Sequence, residues 1–328
     1  MAAGPIAVVG AGAWGTALAN AAALAGNAVT LWSRDAGAAA RMQASRDNAA
    51  SLPGVALHMS VSVTADAKDL AGAGAVLLVV PAQAIRAVTA ALPPLASGVP
   101  LVICAKGIER GSGSFLSDVV AETRPDAAVA VLSGPSFAAD VARGLPTAVA
   151  LSARDGAVAE GLAAALTGPT FRVYHGTDVR GVEIGGAAKN VLAIACGAVS
   201  GRGLGESARA ALTARGFAEL MRFAAACGAR PETLMGLSGL GDVVLSCASA
   251  QSRNFAFGER LGRGVPAAEA AGGKLVEGAF TAGVLVALAR AKGVEMPVAE
   301  AVEAILSGHL GIDAAVEALM GRPVKAEH

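Results

Sequence analysis

Four ionic side chains stand where the chain could use them for proton transfer or for holding an anion. Lys189 is the only charged residue between Glu183 and Arg202, inside the apolar run Val182–Val199 and within Gly185-Gly186-Ala187-Ala188-Lys189-Asn190. An ammonium in such surroundings loses hydration, which lowers its pKa and makes it usable as a proton donor and acceptor. The alternative is a lysine whose stem covers apolar surface while its head reaches water. Lys106 follows the apolar stretch Pro100–Cys104 directly, a place where ligands meet strand ends, although a solvated loop lysine fits there too. Asp242 ends the glycine-rich joint Gly236-Leu237-Ser238-Gly239-Leu240-Gly241 and could either set the protonation of Lys189 or cap the next helix. Arg253 sits in Gln251-Ser252-Arg253-Asn254, a cation beside a hydroxyl and two amides that suits a phosphate; Ser252 also fits a plain helix N-cap.

A phosphate cradle comes first in the chain. The short apolar run Ile6–Val9 leads straight into Gly10-Ala11-Gly12-Ala13-Trp14-Gly15, then an alanine-rich helical stretch, Thr16–Ala25, then Val29–Trp32. This is GxGxxG in a strand, turn, helix and strand setting: Gly10 for the tight turn, Gly12 for close approach to a pyrophosphate, Gly15 for helix-on-strand packing. The uncapped N–H groups and positive end of the helix would then face the phosphates. The second strand ends Trp32-Ser33-Arg34-Asp35, so Asp35 comes one or two places late for the acid that accepts from a ribose 2′-hydroxyl, although it could still turn inward. Ser33 and Arg34 suit a 2′-phosphate, so NADP(H) is favoured, with NAD(H) still possible.

The elements that position these groups alternate through the first half. Val61–Val63, Ala75–Val80, Pro100–Cys104 and Ala127–Leu132 read as strands, Gln83–Leu92 as a helix, and Thr147–Ser152 and Phe171–Tyr174 as closing strands. Repeated βα units predict an α/β fold with a doubly wound parallel sheet, a Rossmann domain. Lys106 and the turn Ser133-Gly134-Pro135-Ser136 then fall beyond strand ends, where such sheets bind ligands. Past Thr177 the pattern turns helical: Val182–Val199, Glu206–Cys227, Pro231–Leu237, Asn254–Leu261, Thr281–Lys292, Val298–Leu306 and Ile312–Leu319. The expected division is residues 1–178 as the dinucleotide-binding domain and 179–328 as an all-α substrate domain, with Val324–His328 a loose tail.

Composition narrows the function classes. Lys+Arg and Asp+Glu both total 26, so the chain has no basic surplus for nucleic acid. The cysteines Cys104, Cys196, Cys227 and Cys247 are far apart with no CxxC, and the four histidines are scattered, so neither disulfides nor a metal site is expected. The first basic residue is Arg34, which does not match the charged start of a signal peptide, and no run reads as a membrane span. A cytoplasmic protein is expected.

Eight marks in order carry a resemblance: Gly10–Gly15, Lys106-Gly-Ile, Ser133-Gly-Pro-Ser-Phe-Ala138, Gly144-Leu-Pro-Thr147, Gly185-Gly-Ala-Ala-Lys-Asn190, Gly239-Leu-Gly-Asp242, Ser252-Arg-Asn254 and Val276-Glu-Gly278. Together they resemble the bacterial NAD(P)-dependent glycerol-3-phosphate dehydrogenases over nearly the whole chain. The resemblance implies reversible hydride transfer between NAD(P)H and dihydroxyacetone phosphate, supplying glycerol 3-phosphate for phospholipid synthesis, in a homodimer. It implies Lys189 as the acid/base, with Lys106 and Asp242 in the catalytic set. It implies substrate contacts from Lys106, Gly134, Ser136, Lys189, Asp242, Ser252, Arg253 and Asn254. For the cofactor it implies Gly10, Gly12, Ala13, Trp14, Gly15, Arg34, Lys106, Ala138, Arg253, Leu275 and Glu277. Ala13 stands where many relatives carry Ser, Ser136 where Thr is frequent, and Phe280 where a more polar residue is expected. Two other readings compete. A hydroxyacid dehydrogenase of the 6-phosphogluconate type also joins these two domains, but its lysine and asparagine are usually spaced apart, whereas Lys189 and Asn190 adjoin. A redox sensor that only binds NADP(H) would not need Lys106, Lys189, Asp242 and Arg253 together.

Overall fold

The computed structural model describes residues 4–323, so the tail expected at Val324–His328 lies outside the described residues. The chain divides into two compact units. One holds residues up to Gly186 together with Ala229–Asp242; the other holds Ala187–Gly228 and everything from Val243 onward.

The first unit is built on strands β1 (Ile6–Val9), β2 (Val29–Trp32), β3 (Asp47–Asn48), β4 (Leu52–Ala56), β5 (Val61–Thr64), β6 (Ala75–Leu78), β7 (Pro100–Ile103), β8 (Ala128–Ser133), β9 (Thr147–Ala153) and β10 (Phe171–Gly176). Eight of them form one sheet in the order β10-β9-β8-β7-β6-β1-β2-β5, while β3 and β4 make a separate antiparallel pair. All neighbours in the large sheet are parallel except β8 and β9. That reversal departs from the all-parallel expectation. The link from Ser133 to Thr147 carries only a five-residue helix, too little for a full crossover, so the chain returns beside β8.

The alternation of side chains along each strand makes two cores. Ile6, Val8, Leu31, Leu77, Val102 and Leu132 lie on one face, packed with residues of helices α1 (Ala13–Leu24), α2 (Ala36–Ser45), α5 (Ala138–Ala142) and α6 (Gly156–Leu166). Ala7, Val9, Val76, Leu78, Leu101 and Ile103 lie on the other, packed with α3 (Ile85–Ala90), α4 (Leu116–Thr123) and the start of α7 (Val179–Gly201). Both faces being covered explains why these strands read as continuous apolar runs rather than alternating ones.

The second unit is helical. After α7 come α8 (Glu206–Ala226), α9 (Pro231–Met235), a single π-helical turn at Leu237–Gly241, α10 (Asp242–Cys247), α11 (Arg253–Gly262), α12 (Ala267–Ala270), α13 (Glu277–Ala291), α14 (Pro297–Leu306) and α15 (Ile312–Met320). Of these, α9 and the π turn belong with the sheet unit, and α7 and the Asp242 end of α10 span the division. Helix α7 is long and apolar enough by composition to cross a membrane, but its apolar window is wholly buried within the protein. Its glycines set the packing. A methyl on Gly197 would lie 2.1 Å from the Phe255 carbonyl oxygen, and one on Gly258 would lie 2.0 Å from that of Ile194. Helices α7 and α11 therefore cross backbone to backbone, which only these small residues permit. Helix α14 has no side-chain cap of its own, and Glu219 of α8 supplies one by accepting from Val298 N at 2.9 Å and Ala299 N at 3.4 Å.

Candidate active site

The glycine turn after β1 has the shape its motif calls for. Gly10 has φ +117, and a methyl there would sit 2.6 Å from the Val79 carbonyl oxygen. Gly15 passes so close to the turn that a methyl would lie 1.8 Å from Gly10 O, which locks α1 onto β1. A methyl on Gly12 would meet nothing within 4 Å, so the space above this residue is open. Gly12 is also the N-cap of α1 and offers no side-chain acceptor, leaving the first-turn N–H groups of Ala13 and Trp14 for an anion. An open, uncapped helix N-terminus over a glycine turn fits the pyrophosphate of a dinucleotide. At the end of β2, Asp35 caps α2, its Oδ1 accepting from Ala38 N at 2.8 Å. Arg34 beside it is exposed, with no hydrogen bond or ion pair among the described residues.

Lys106, Gly134, Ser136 and Asp242 form one connected cluster in the sheet unit. Lys106 leaves the end of β7 and donates to Asp242 Oδ2 at 2.5 Å and to Gly134 O at 3.1 Å. The same carbonyl accepts from Ser136 Oγ at 3.1 Å. Asp242 is only 1% exposed, while 18% of the Lys106 side chain remains accessible. The carboxylate thus fixes the lysine stem, and the ammonium keeps an open side. Gly134 has φ +149 and runs against β9, where a methyl would be 2.9 Å from Val149 Cα. Asp242 begins α10 and is an ion partner of Lys106. The π turn before it needs glycine at 239, where a methyl would fall 1.9 Å from Leu234 O. Ser133 Oγ is buried and without a hydrogen-bond partner among the described residues, and it occupies the place where a methyl on Gly186 would clash, 2.6 Å away.

Lys189 lies in the helical unit, 7% exposed, and donates to Ser246 Oγ at 2.6 Å. Asn190, next to it, accepts from Asn254 Nδ2 at 2.9 Å, and Asn254 Oδ1 in turn accepts from Gly278 N at 2.9 Å. Gly278 is where α13 comes against α7, since a methyl there would stand 2.6 Å from Asn190 O. Asn254 therefore ties the lysine-bearing helix to the N-terminus of α13, which starts at Glu277 just after the half-buried Leu275. Ser252 is the N-cap of α11, accepting from Phe255 N at 3.3 Å. Arg253 is exposed and has no hydrogen bond or ion pair among the described residues, and Ala138 opens α5 in the sheet unit.

Sequence reasoning passed over Ser246 as the partner of Lys189. A signal existed: Asp242 and Ser246 are four apart on one helix, hence on one face. Among the described residues no group of His, Cys, Asp and Glu is placed to hold a metal ion.

Chemically, the sheet unit offers an anion cradle and a fixed, accessible ammonium; the helical unit offers a buried amine held by a hydroxyl. Two family models match this chain: the N-terminal part of NAD-dependent glycerol-3-phosphate dehydrogenase at residues 5–159 and its C-terminal part at residues 178–317. A glycerol-3-phosphate dehydrogenase (NAD(P)+) of Methylobacterium radiotolerans is 66% identical over 325 residues, 98% of each chain. That of Azorhizobium caulinodans is 64% identical over 323 residues, again 98% of each. The crystal structure of a glycerol-3-phosphate dehydrogenase from Coxiella burnetii superposes with a TM-score of 0.92 at 40% identity, covering 97% of this chain and 99% of that one. The chain belongs to the NAD-dependent glycerol-3-phosphate dehydrogenase family.

Proposed function

We propose that the protein interconverts dihydroxyacetone phosphate and sn-glycerol 3-phosphate with NAD(P)H, in the cell mainly as a reductase supplying glycerol 3-phosphate for phospholipid synthesis. The observation that carries this reading is Lys189, a buried amine seated on the Ser246 hydroxyl at 2.6 Å in a chain that also carries an open dinucleotide cradle. The domain roles follow the expected division, with residues 1–178 binding the dinucleotide and 179–328 carrying the acid/base. Gly10, Gly12, Ala13, Trp14 and Gly15 hold the pyrophosphate through backbone N–H groups, and Ala138, Arg253, Leu275 and Glu277 contact the remainder. Arg34 favours the 2′-phosphate of NADP(H) over NAD(H), while Asp35 caps α2.

When bound, the dinucleotide exchanges a hydride with C2 of the three-carbon phosphate. Lys189 protonates the carbonyl oxygen during reduction and takes the hydroxyl proton in reverse. Ser246 fixes the Lys189 Nζ, so the proton is delivered from a set direction. Lys106, held by Asp242 and Gly134, presents positive charge to the substrate oxygens and stabilises charge as it develops. Gly134, Ser136, Ser252, Arg253 and Asn254 complete substrate binding, with Arg253 suited to the phosphate. We read the protein further as a cytoplasmic homodimer. The test is NADPH oxidation followed by absorbance, with and without dihydroxyacetone phosphate and with a panel of hydroxyacids. Oxidation that depends on dihydroxyacetone phosphate is expected; turnover of a hydroxyacid alone, or cofactor binding with no turnover, would replace this reading.

A further inference from the structure

We propose that Asn48 is a positioning residue for the dinucleotide, holding the peptide planes of the glycine turn so that their N–H groups face the pyrophosphate. The proposal rests on the dinucleotide reading above and lies wholly within the sheet unit. Asn48 is a buried residue of β3, 37 residues along the chain from Ala11 and outside the glycine motif. Its Nδ2 donates to Ala11 O at 2.8 Å and to Thr16 Oγ1 at 2.8 Å. Thr16, buried near the start of α1, passes the contact on. Its Oγ1 donates to Gly12 O at 2.9 Å, and its own N–H donates to the same carbonyl at 2.9 Å.

A trans peptide is planar, so its carbonyl and the following N–H point in opposite directions. With Ala11 O turned to Asn48, the Gly12 N–H points away from β3. With Gly12 O turned along α1 to Thr16, the Ala13 N–H points out of the helix end. Neither N–H has a partner among the described residues, and the space above Gly12 is open. Glycine at 12 would otherwise leave both adjoining peptide planes free to rotate. Asn48 and Thr16 remove that freedom during folding, before an anion arrives, which raises affinity by pre-organisation. Asn48 can do this because the β3–β4 pair is itself pinned to α1. Asn20 Nδ2 donates to Ala56 O at 2.8 Å, and Asn20 Oδ1 accepts from His58 N at 3.0 Å. Arg46, which ends α2 in the left-handed region at φ 56, donates to His58 O at 2.6 Å. The ladder register shifts between Asp47 and Asn48, an irregularity of the kind that re-aims a side chain.

The test measures Kd for NADPH and NADH by calorimetric titration of the full chain, stability in urea, and KM and kcat with dihydroxyacetone phosphate. Asn48→Ala should weaken both cofactors alike, about tenfold, because they share the pyrophosphate. KM for NADPH should rise in step, while kcat at saturating NADPH stays within about threefold of wild type. Thr16→Val keeps the shape and loses the hydroxyl, so it should weaken both cofactors about threefold; Thr16→Ser should bind within about twofold of wild type. Asn20→Ala is the control for a merely structural role. It unties β4 from α1 without touching the turn, so it should lose stability and keep both affinities within about twofold. Wild-type affinity in Asn48→Ala, or an equal loss of affinity in Asn20→Ala, would overturn the inference. Should Asn48→Ala fail to fold, the two Thr16 variants decide, and equal binding by them would overturn it. A wild type that binds both cofactors without turning over dihydroxyacetone phosphate would overturn the dehydrogenase reading instead, leaving the Kd comparison to decide on Asn48.

Discussion

The cradle after β1 makes a sharp prediction about two glycines three residues apart. Gly12 has φ −75 and ψ −177, backbone that alanine adopts freely, and a methyl there meets nothing within 4 Å. Gly12→Ala should change stability by less than about 1 kcal/mol, the poorer N-cap being offset by a less flexible unfolded chain. The methyl would occupy the space through which a pyrophosphate approaches the α1 N-terminus. NADPH affinity should therefore fall on the order of 100-fold, about 2.8 kcal/mol. Gly15→Ala should behave in the opposite way: its methyl would lie 1.8 Å from Gly10 O, a backbone atom that cannot step aside. Overpacking of this kind costs about 3 kcal/mol, seen as lost stability before any question of binding. Calorimetric titration with NADPH and urea denaturation of both variants separate the two effects. Gly12→Ala binding NADPH as wild type does would refute the placement of the phosphates, and an undisturbed Gly15→Ala would refute the packing argument.

Other expectations follow from the same geometry. Arg34→Ala removes one charge-assisted contact at an exposed position, so KM for NADPH should rise about tenfold while KM for NADH stays put; equal effects on both cofactors would remove Arg34 from the 2′-phosphate. Ser246→Ala should lower kcat about tenfold with little change in KM or melting temperature, since it loses one hydrogen bond to a charged group that matters for aiming the proton; unchanged kcat would make that hydroxyl a bystander. Burial raises the carboxyl pKa of Glu183, held by Ser117 N at 2.7 Å and Ser117 Oγ at 2.6 Å, to about 7, and that of Glu219 to about 7, each from 4.5. Folded protein thus keeps protons that the unfolded chain releases between these values. The stability from these two groups is complete below pH 4.5 and is lost as pH rises through about 7, by at most about 3 kcal/mol each. Urea melts at pH 5.5 and 8 should show a smaller pH difference in Glu183→Gln than in wild type; identical differences would contradict the assignment.

The fold was largely legible because its strands are buried on both faces and its helices are rich in small apolar residues. Ile6–Val9, Val29–Trp32 and the long α7 could be read from apolar runs punctuated by glycine. The β3–β4 hairpin and α2 were not read: Leu52-Pro53-Gly54-Val55-Ala56 contains two strand breakers, and its pairing rests on tertiary contacts. The antiparallel turn of β9 was hidden for a similar reason, since strand direction depends on the path of the link rather than on local pattern. In the site, Lys106, Lys189, Gly134 and Asp242 announced themselves by charge or glycine in apolar surroundings. What could not be read was pairing. Asp242 sits with Lys106, 136 residues away in the chain, and Lys189 with a serine that resembles any other. Nor could the tie that Asn254 makes to Asn190 and Gly278 be read from its place in the Ser252-Arg253-Asn254 mark.

The central claim is that Lys189 moves the proton in the reduction of dihydroxyacetone phosphate. Its most direct test is NADPH oxidation by Lys189→Ala with dihydroxyacetone phosphate, beside NADPH binding by the same variant. The account predicts that kcat falls by about 1,000-fold or more while NADPH affinity stays within about threefold of wild type. Turnover at the wild-type rate would contradict it.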